Sequence, residues 1–334
     1  MSVGAAIAGV AMALPERLVS NDQIAAGLDV DAAWIAKRTG THERPWASDD
    51  QRLSQLSAEA GRAALVQAGV APGEVDLVLV ATSTADEITP NAAPLVAGLI
   101  GADRAGALDV GAACTGWLSA LAMACGQIES GRAEHALVVG ADFLSRFLDV
   151  SDRDTAPLFA DGAGAAVVSA TRSRAGRVGP IVLRADHSGS HLIRLNRGEH
   201  IRMEGHESFR AAVASLTQVT AEALAAADRR LEDIDLFVYH QANSRIIRAV
   251  GERLGLPADR VVDYVGRFAN ASTATLPIAL TVAQAEGRLE PGAQILLAAF
   301  GGGLTWGATV VEWIASAVPV RAGGTSQPSV MPTV

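Results

Sequence analysis

The chain is predicted to be an α/β protein built from one unit used twice. Three observations carry that prediction: apolar runs of strand length, helix-like runs between them, and a constant interval separating the two sets. Residues 75–82 (VDLVLVAT) form a continuous apolar run, the mark of a strand buried on both faces. Residues 234–240 (IDLFVYH) match it 159 positions later (234 − 75 = 159). Residues 136–140 (ALVVG) start 61 positions after the first run, and residues 295–300 (ILLAAF) start 61 after the second. The helix-like runs 58–68 and 219–231 precede the two pairs. Alternating strands and helices predict mainly parallel sheets with helices packed against them.

In chain order, residues 3–14 are apolar and rich in Gly and Ala, and Pro15 follows. No positive charge precedes this run, so it is read as a first strand and not a secretory leader. Residues 118–128 are the helix-like run after Cys114. The repeat divides the chain into an N-terminal half, 1–172, and a C-terminal half, 173–318. Residues 319–334, rich in Gly, Pro, Ser and Thr, are expected to be a disordered tail.

Composition narrows the function. The 334 residues are 49% hydrophobic and 19% charged, which predicts a large core. The net charge of −9 argues against nucleic acid as a partner. No apolar stretch reaches the roughly 18–20 residues of a membrane span, so no membrane association is expected. Two cysteines make no disulfide framework, and a cytoplasmic location fits best.

Cys114 lies in residues 109–117 (DVGAACTGW), where an apolar run ends and a helix-like run begins. A thiol at a helix N-terminus is expected to have a lowered pKa, and its small neighbours leave room for a substrate. The alternative is a buried structural thiol. Adding 159 to 114 gives Thr273, beside residues 270–273 (NAST), so Cys114 and Asn270 are expected in equivalent strand-to-helix turns. His240 ends one strand, and residues 300–303 (FGGG) end another. Strand ends are where α/β folds place their sites. Facing halves would bring Cys114, His240 and Asn270 together. Cys125 is read as core. His187 and His191 have ligand-like spacing, but Ser188 to Ser190 between them favour a loop, and no metal is expected. Residues 161–165 (DGAGA) lack the third glycine of a dinucleotide fingerprint.

These motifs, together with residues 34–40 (WIAKRTG) and 300–307 (FGGGLTWG), resemble the β-ketoacyl-acyl-carrier-protein synthase III family of the thiolase superfamily. The resemblance spans about residues 3–315. It implies a five-layered αβαβα fold of two duplicated halves, and a homodimer. It implies acylation of Cys114 by an acyl-CoA, then decarboxylative condensation with malonyl-acyl-carrier protein to a 3-oxoacyl product. His240 and Asn270 would stabilise the enolate, and the N–H groups of Cys114 and Gly302 would form the oxyanion hole. The chemistry calls for no cofactor, because the electrons come from C–C cleavage. By position, Trp34, Arg38, Arg153, Gly205, Phe209 and Asn243 would bind CoA. Arg210, Arg245, Arg248 and Arg253 would form a basic patch for the acidic carrier protein.

Thr89 matches a position that often carries a large aromatic closing the acyl pocket. With residues 186–202 also short, a longer, branched or otherwise non-acetyl primer is expected, in fatty-acid or polyketide synthesis. For a dicarboxylic primer, Arg146 or Arg267 would supply the counter-charge. The rivals are an acyltransferase of the same fold acting on an alcohol or amine without decarboxylation, and an inactive scaffold subunit. A degradative thiolase would need a second catalytic cysteine, which residues 301–307 lack.

Overall fold

The structure is a computed structural model and describes residues 3–173 and 175–314. The predicted tail, 319–334, lies outside the described residues. Two sheets organise the molecule. The five-stranded sheet has the order Gly4–Ala13, Asp161–Thr171, His135–Phe143, Leu77–Ala81, Gly106–Val110. The four-stranded sheet has the order Val182–Ala185, Thr305–Glu312, Gln294–Gly301, Leu236–Tyr239. The inner strands correspond at the predicted interval: 236 − 77 and 294 − 135 both equal 159. The fifth position of the second sheet is reduced to one parallel bridge, Phe237 to Val261.

The expectation of mainly parallel sheets is corrected. In each sheet the third strand pairs antiparallel with the second, and the second pairs antiparallel with the first. Only the pairs at the other end run parallel. Gln294–Gly301 and Thr305–Glu312 are joined through Gly302, Gly303 and Leu304, too short a link for a parallel crossover.

Side-chain alternation divides the core into layers. From the strand Leu77–Ala81, Leu79 and Ala81 join the central core, whereas Val78 and Val80 join the outer one. The central core holds helices Gly116–Glu129 and Thr275–Ala285 between the two sheets. Helices Leu53–Ala68 and Ala92–Ile100 cover the outside of the first sheet. Helices Gly205–Ala226 and Ser244–Leu254 cover the second. Five layers result, αβαβα. The helix expected over 219–231 ends at Ala226, and Asp228 with φ 52° turns the chain away.

The central helices are related by the same interval (275 − 116 = 159), and each follows a short 3-10 turn, Ala113–Thr115 or Ser272–Ala274. The twin turns meet where the halves face each other. A Cβ on Gly140 would stand 2.3 Å from the Thr273 carbonyl oxygen, so only glycine admits this approach.

Candidate active site

Cys114 occupies the turn before helix Gly116–Glu129. The end of strand Gln294–Gly301 lies against it, since a Cβ on Gly301 would be 2.8 Å from the Cys114 nitrogen. The thiol departs from expectation. Burial pushes it up to about 11, and Asp142 adds to the rise, while a hydrogen bond from Ser272 works the other way. Its position before the helix is as predicted, but loss of water around the sulfur outweighs every charge-stabilising contact.

His240 follows strand Leu236–Tyr239 and is anchored by its N–H to the Ala298 carbonyl at 2.8 Å. Burial pushes the imidazole down to about 3, so the ring is neutral at physiological pH. Nδ1 lies 2.6 Å from Thr275 Oγ1, which leaves Nε2 as the uncommitted ring nitrogen. The Thr275 hydroxyl also reaches the Ser272 carbonyl at 3.0 Å. It has one proton for two acceptors, so its orientation selects the tautomer. When it donates to Nδ1, Nε2 carries the ring proton and becomes a donor.

Asn270 is fixed through its backbone by residues 158–160: its N–H donates to Leu158, and its carbonyl accepts from Ala160, both at 3.0 Å. Its Oδ1 accepts from the Ser272 N–H at 2.9 Å, which leaves the amide nitrogen as its donor end. Cys114, His240 and Asn270 line one cavity.

The residues assigned to CoA border that same cavity. Trp34 and Arg38 come from helix Ala32–Thr39, whose N-cap Asp31 accepts from the Trp34 N–H at 2.6 Å. Asn243 caps helix Ser244–Leu254 by accepting from the Arg245 N–H at 2.8 Å, and its amide reaches the Arg38 carbonyl at 3.4 Å. Arg153, Gly205 and Phe209 complete the set. Arg245 also lines the cavity, with its guanidinium 5.4 Å from the Phe209 ring centre.

A second cavity of about 680 Å³ opens on another side of Cys114, bordered by Gly302, Ser272, Ile88, Leu144, Phe147 and Ile201 among others. Thr89 borders neither cavity and is exposed. Arg146 and Arg267 also lie outside both, which removes them as counter-charges for a bound primer. Arg146 donates to the Ser48 and Gln51 carbonyls, and Arg267 pairs with Glu286 at 3.4 Å. Arg210, Arg245, Arg248 and Arg253 are all exposed, on the two adjacent outer helices. Cys125 is buried in the central core and pushed up to about 12. His187 begins a short 3-10 turn, and His191 lies 4.0 Å from Glu207.

Sequence reasoning missed Asp142, Ser272 and Thr275. Asp142 is buried beneath the twin turns, where its carboxylate accepts from Ser83 N (2.8 Å), Thr84 Oγ1 (2.9 Å), and Thr273 N (3.2 Å) and Oγ1 (2.9 Å). The repeat held a signal for the other two: Ser272 is the twin of Ala113, and Thr275 the twin of Gly116.

Family models agree with the geometry. Residues 108–187 match the 3-oxoacyl-[acyl-carrier-protein (ACP)] synthase III model, and residues 224–313 match its C-terminal model. The chain is 44% identical over 323 residues to the β-ketoacyl-[acyl-carrier-protein] synthase III of Paramagnetospirillum magneticum, covering 93% of this chain and 100% of that protein. The 3-oxoacyl-[acyl-carrier-protein] synthase III of Aquifex aeolicus superposes with a TM-score of 0.90 at 37% identity, covering 93% and 100%. The priming β-ketosynthase from the R1128 polyketide biosynthetic pathway gives 0.89 at 34% identity, covering 92% and 96%. With both halves matched and the relatives covered almost end to end, the chain belongs to the 3-oxoacyl-[acyl-carrier-protein] synthase III family of the thiolase superfamily.

Proposed function

We propose that this condensing enzyme forms an acyl-enzyme at Cys114 from an acyl-CoA and condenses it, with loss of CO₂, onto malonyl-acyl-carrier protein. One observation carries the reading: the nucleophile, the two enolate donors and the six CoA residues converge on a single cavity. The thiol attacks the thioester, and the N–H groups of Cys114 and Gly302 receive the oxyanion. CoA leaves. Malonyl-carrier protein then enters, and His240 Nε2 and the Asn270 amide donate to its thioester oxygen as CO₂ departs. Fixed donors of this kind contribute up to about 3–4 kcal/mol each. A neutral imidazole suits the role, because it donates without adding a charge that would hold the malonyl carboxylate in place.

The docking role of Arg210, Arg245, Arg248 and Arg253 is supported by their exposure on two adjacent outer helices, of which one brings Arg245 to the cavity. Charge reversal at Arg245 and Arg248 is expected to raise KM for malonyl-carrier protein, with kcat little changed. The second cavity supports a primer larger than acetyl, and a priming step in polyketide synthesis is the second reading. Homodimerisation remains part of the reading; among the described residues no helix is long and apolar enough to cross a membrane. The test is incubation with mixed acyl-CoAs and the mass gained at Cys114. CO₂ release from malonyl-carrier protein separates condensation from simple acyl transfer. Absence of a Cys114 adduct would refute the acyl-enzyme, and a sharp preference for acetyl would refute the larger primer.

A further inference from the structure

Ser272 has no role in the chemistry described so far, yet its side chain lies on the nucleophile. Its Oγ donates to the Cys114 sulfur at 3.5 Å, an ordinary reach for a sulfur acceptor. The residue is buried, and it borders the second cavity together with Cys114.

The internal repeat supplies a control for this hydroxyl. Ser272 and Ala113 are twins (272 − 113 = 159), and both adopt the left-handed backbone, with φ of 47° and 44°. An alanine satisfies that conformation in the N-terminal half. The backbone of the turn therefore does not call for the serine oxygen, which crosses between the halves to the sulfur and also lies within hydrogen-bonding reach of Asp142.

The charges around the sulfur show why a donor matters there. Asp142 stands beneath both turns and opposes a negative sulfur. His240 lines the first cavity together with Cys114. Asp86, Glu87, Asp109, Arg194 and Arg197 stand along the second. Burial disfavours the thiolate further, and the Ser272 hydrogen bond is the side-chain contact that favours it.

We propose that Ser272 is a catalytic hydroxyl that donates to the Cys114 sulfur and holds its negative charge as the thiolate forms. The hydrogen bond stands on its 3.5 Å geometry, and its use in catalysis rests on the acyl-enzyme reading above. In acylation the Cys114 thiol gives its proton to solvent, the S–acyl bond forms at Cys114 while the acyl–S bond of CoA breaks, and the CoA thiolate takes a proton from solvent. In condensation the malonyl C–CO₂ bond breaks with loss of CO₂, the enolate carbon bonds to the acyl carbon as the Cys114–acyl bond breaks, and the sulfur leaves as a thiolate held by the same hydroxyl until solvent protonates it.

The test is the pH profile of Cys114 alkylation by iodoacetamide in wild type and Ser272→Ala, with the modified peptide identified by mass. The profile of Ser272→Ala is expected to move up by about one pH unit, with alkylation roughly tenfold slower at neutral pH, the scale of a hydrogen bond to a charged group. KM for malonyl-carrier protein is expected to be unchanged, because Asn270 is held by the Ser272 backbone and not by its hydroxyl. Ser272→Gly, which also suits positive φ, serves if the alanine variant does not fold. An unshifted profile in a folded variant overturns the proposal. If the wild type gains no acyl group from acyl-CoA, the function reading fails, while a shifted alkylation profile would still support the hydrogen bond.

Discussion

His240 and Cys114 show burial acting on two titratable groups in one cavity, with opposite signs. Burial disfavours the charged form of each, so the imidazole falls to about 3 and the thiol rises to about 11. For His240 the folded value lies below the ordinary 6.5, so the unfolded chain takes up the proton first as pH falls. Its stabilising contribution is complete above pH 6.5 and is lost progressively below it. Between pH 6.5 and 4 the loss is expected to reach about 3 kcal/mol. Urea unfolding of His240→Gln should show an acid-side fall smaller by that amount than wild type. Thr275 acts on the same ring. Thr275→Val removes the hydroxyl beside Nδ1, so the ring loses the group whose orientation selects its tautomer. CO₂ release is expected to fall about tenfold at unchanged KM for the acyl-CoA. An unaltered rate would show that the ring holds its tautomer without the threonine.

Helix Ser244–Leu254 links the capping chemistry of one residue to the entire cavity mouth. Asn243 ends the strand-to-helix turn after His240, caps the helix, and touches the segment that carries Arg38. The helix in turn presents Arg245 over Phe209. Asn243→Ala is expected to cost about 1 kcal/mol of stability, the usual value of an N-cap. It should also raise KM for acyl-CoA several-fold, because the arginine and the adjoining helix lose their shared anchor. Calorimetry and steady-state kinetics measure the two effects separately. A stability loss without a change in KM would mean that the cap serves only the helix.

The two halves meet through the twin turns, and the closeness of that contact is set by glycine. Gly140→Ala would drive a methyl group onto the Thr273 carbonyl, buried between the sheets with nothing flexible to yield. A loss of at least about 2–3 kcal/mol is expected in denaturant unfolding. Any folded remainder should lose condensation, because Thr273 adjoins Ser272 and holds Asp142. An alanine variant of full stability and activity would show that the turns can part without cost.

Much of this architecture was legible from a single sequence. Runs 75–82 and 234–240 gave two strands, and the constant interval paired Cys114 with the turn that carries Asn270. Periodicity survives in sequence because each strand or helix repeats its own spacing of apolar residues. Strand direction was not legible, since an apolar run reads the same for either direction and connection length decides between them. Nor was the exposure of Thr89, or the commitment of Arg146 and Arg267 to other partners. The sequence by itself determined the duplicated α/β plan and the family, and it singled out Cys114, His240 and Asn270, which border one cavity. Only the tertiary structure decided that the thiol is raised and not lowered, and that a serine from the opposite half meets it. Local pattern encodes what each segment is, but solvation and hydrogen bonding depend on which distant segment covers it.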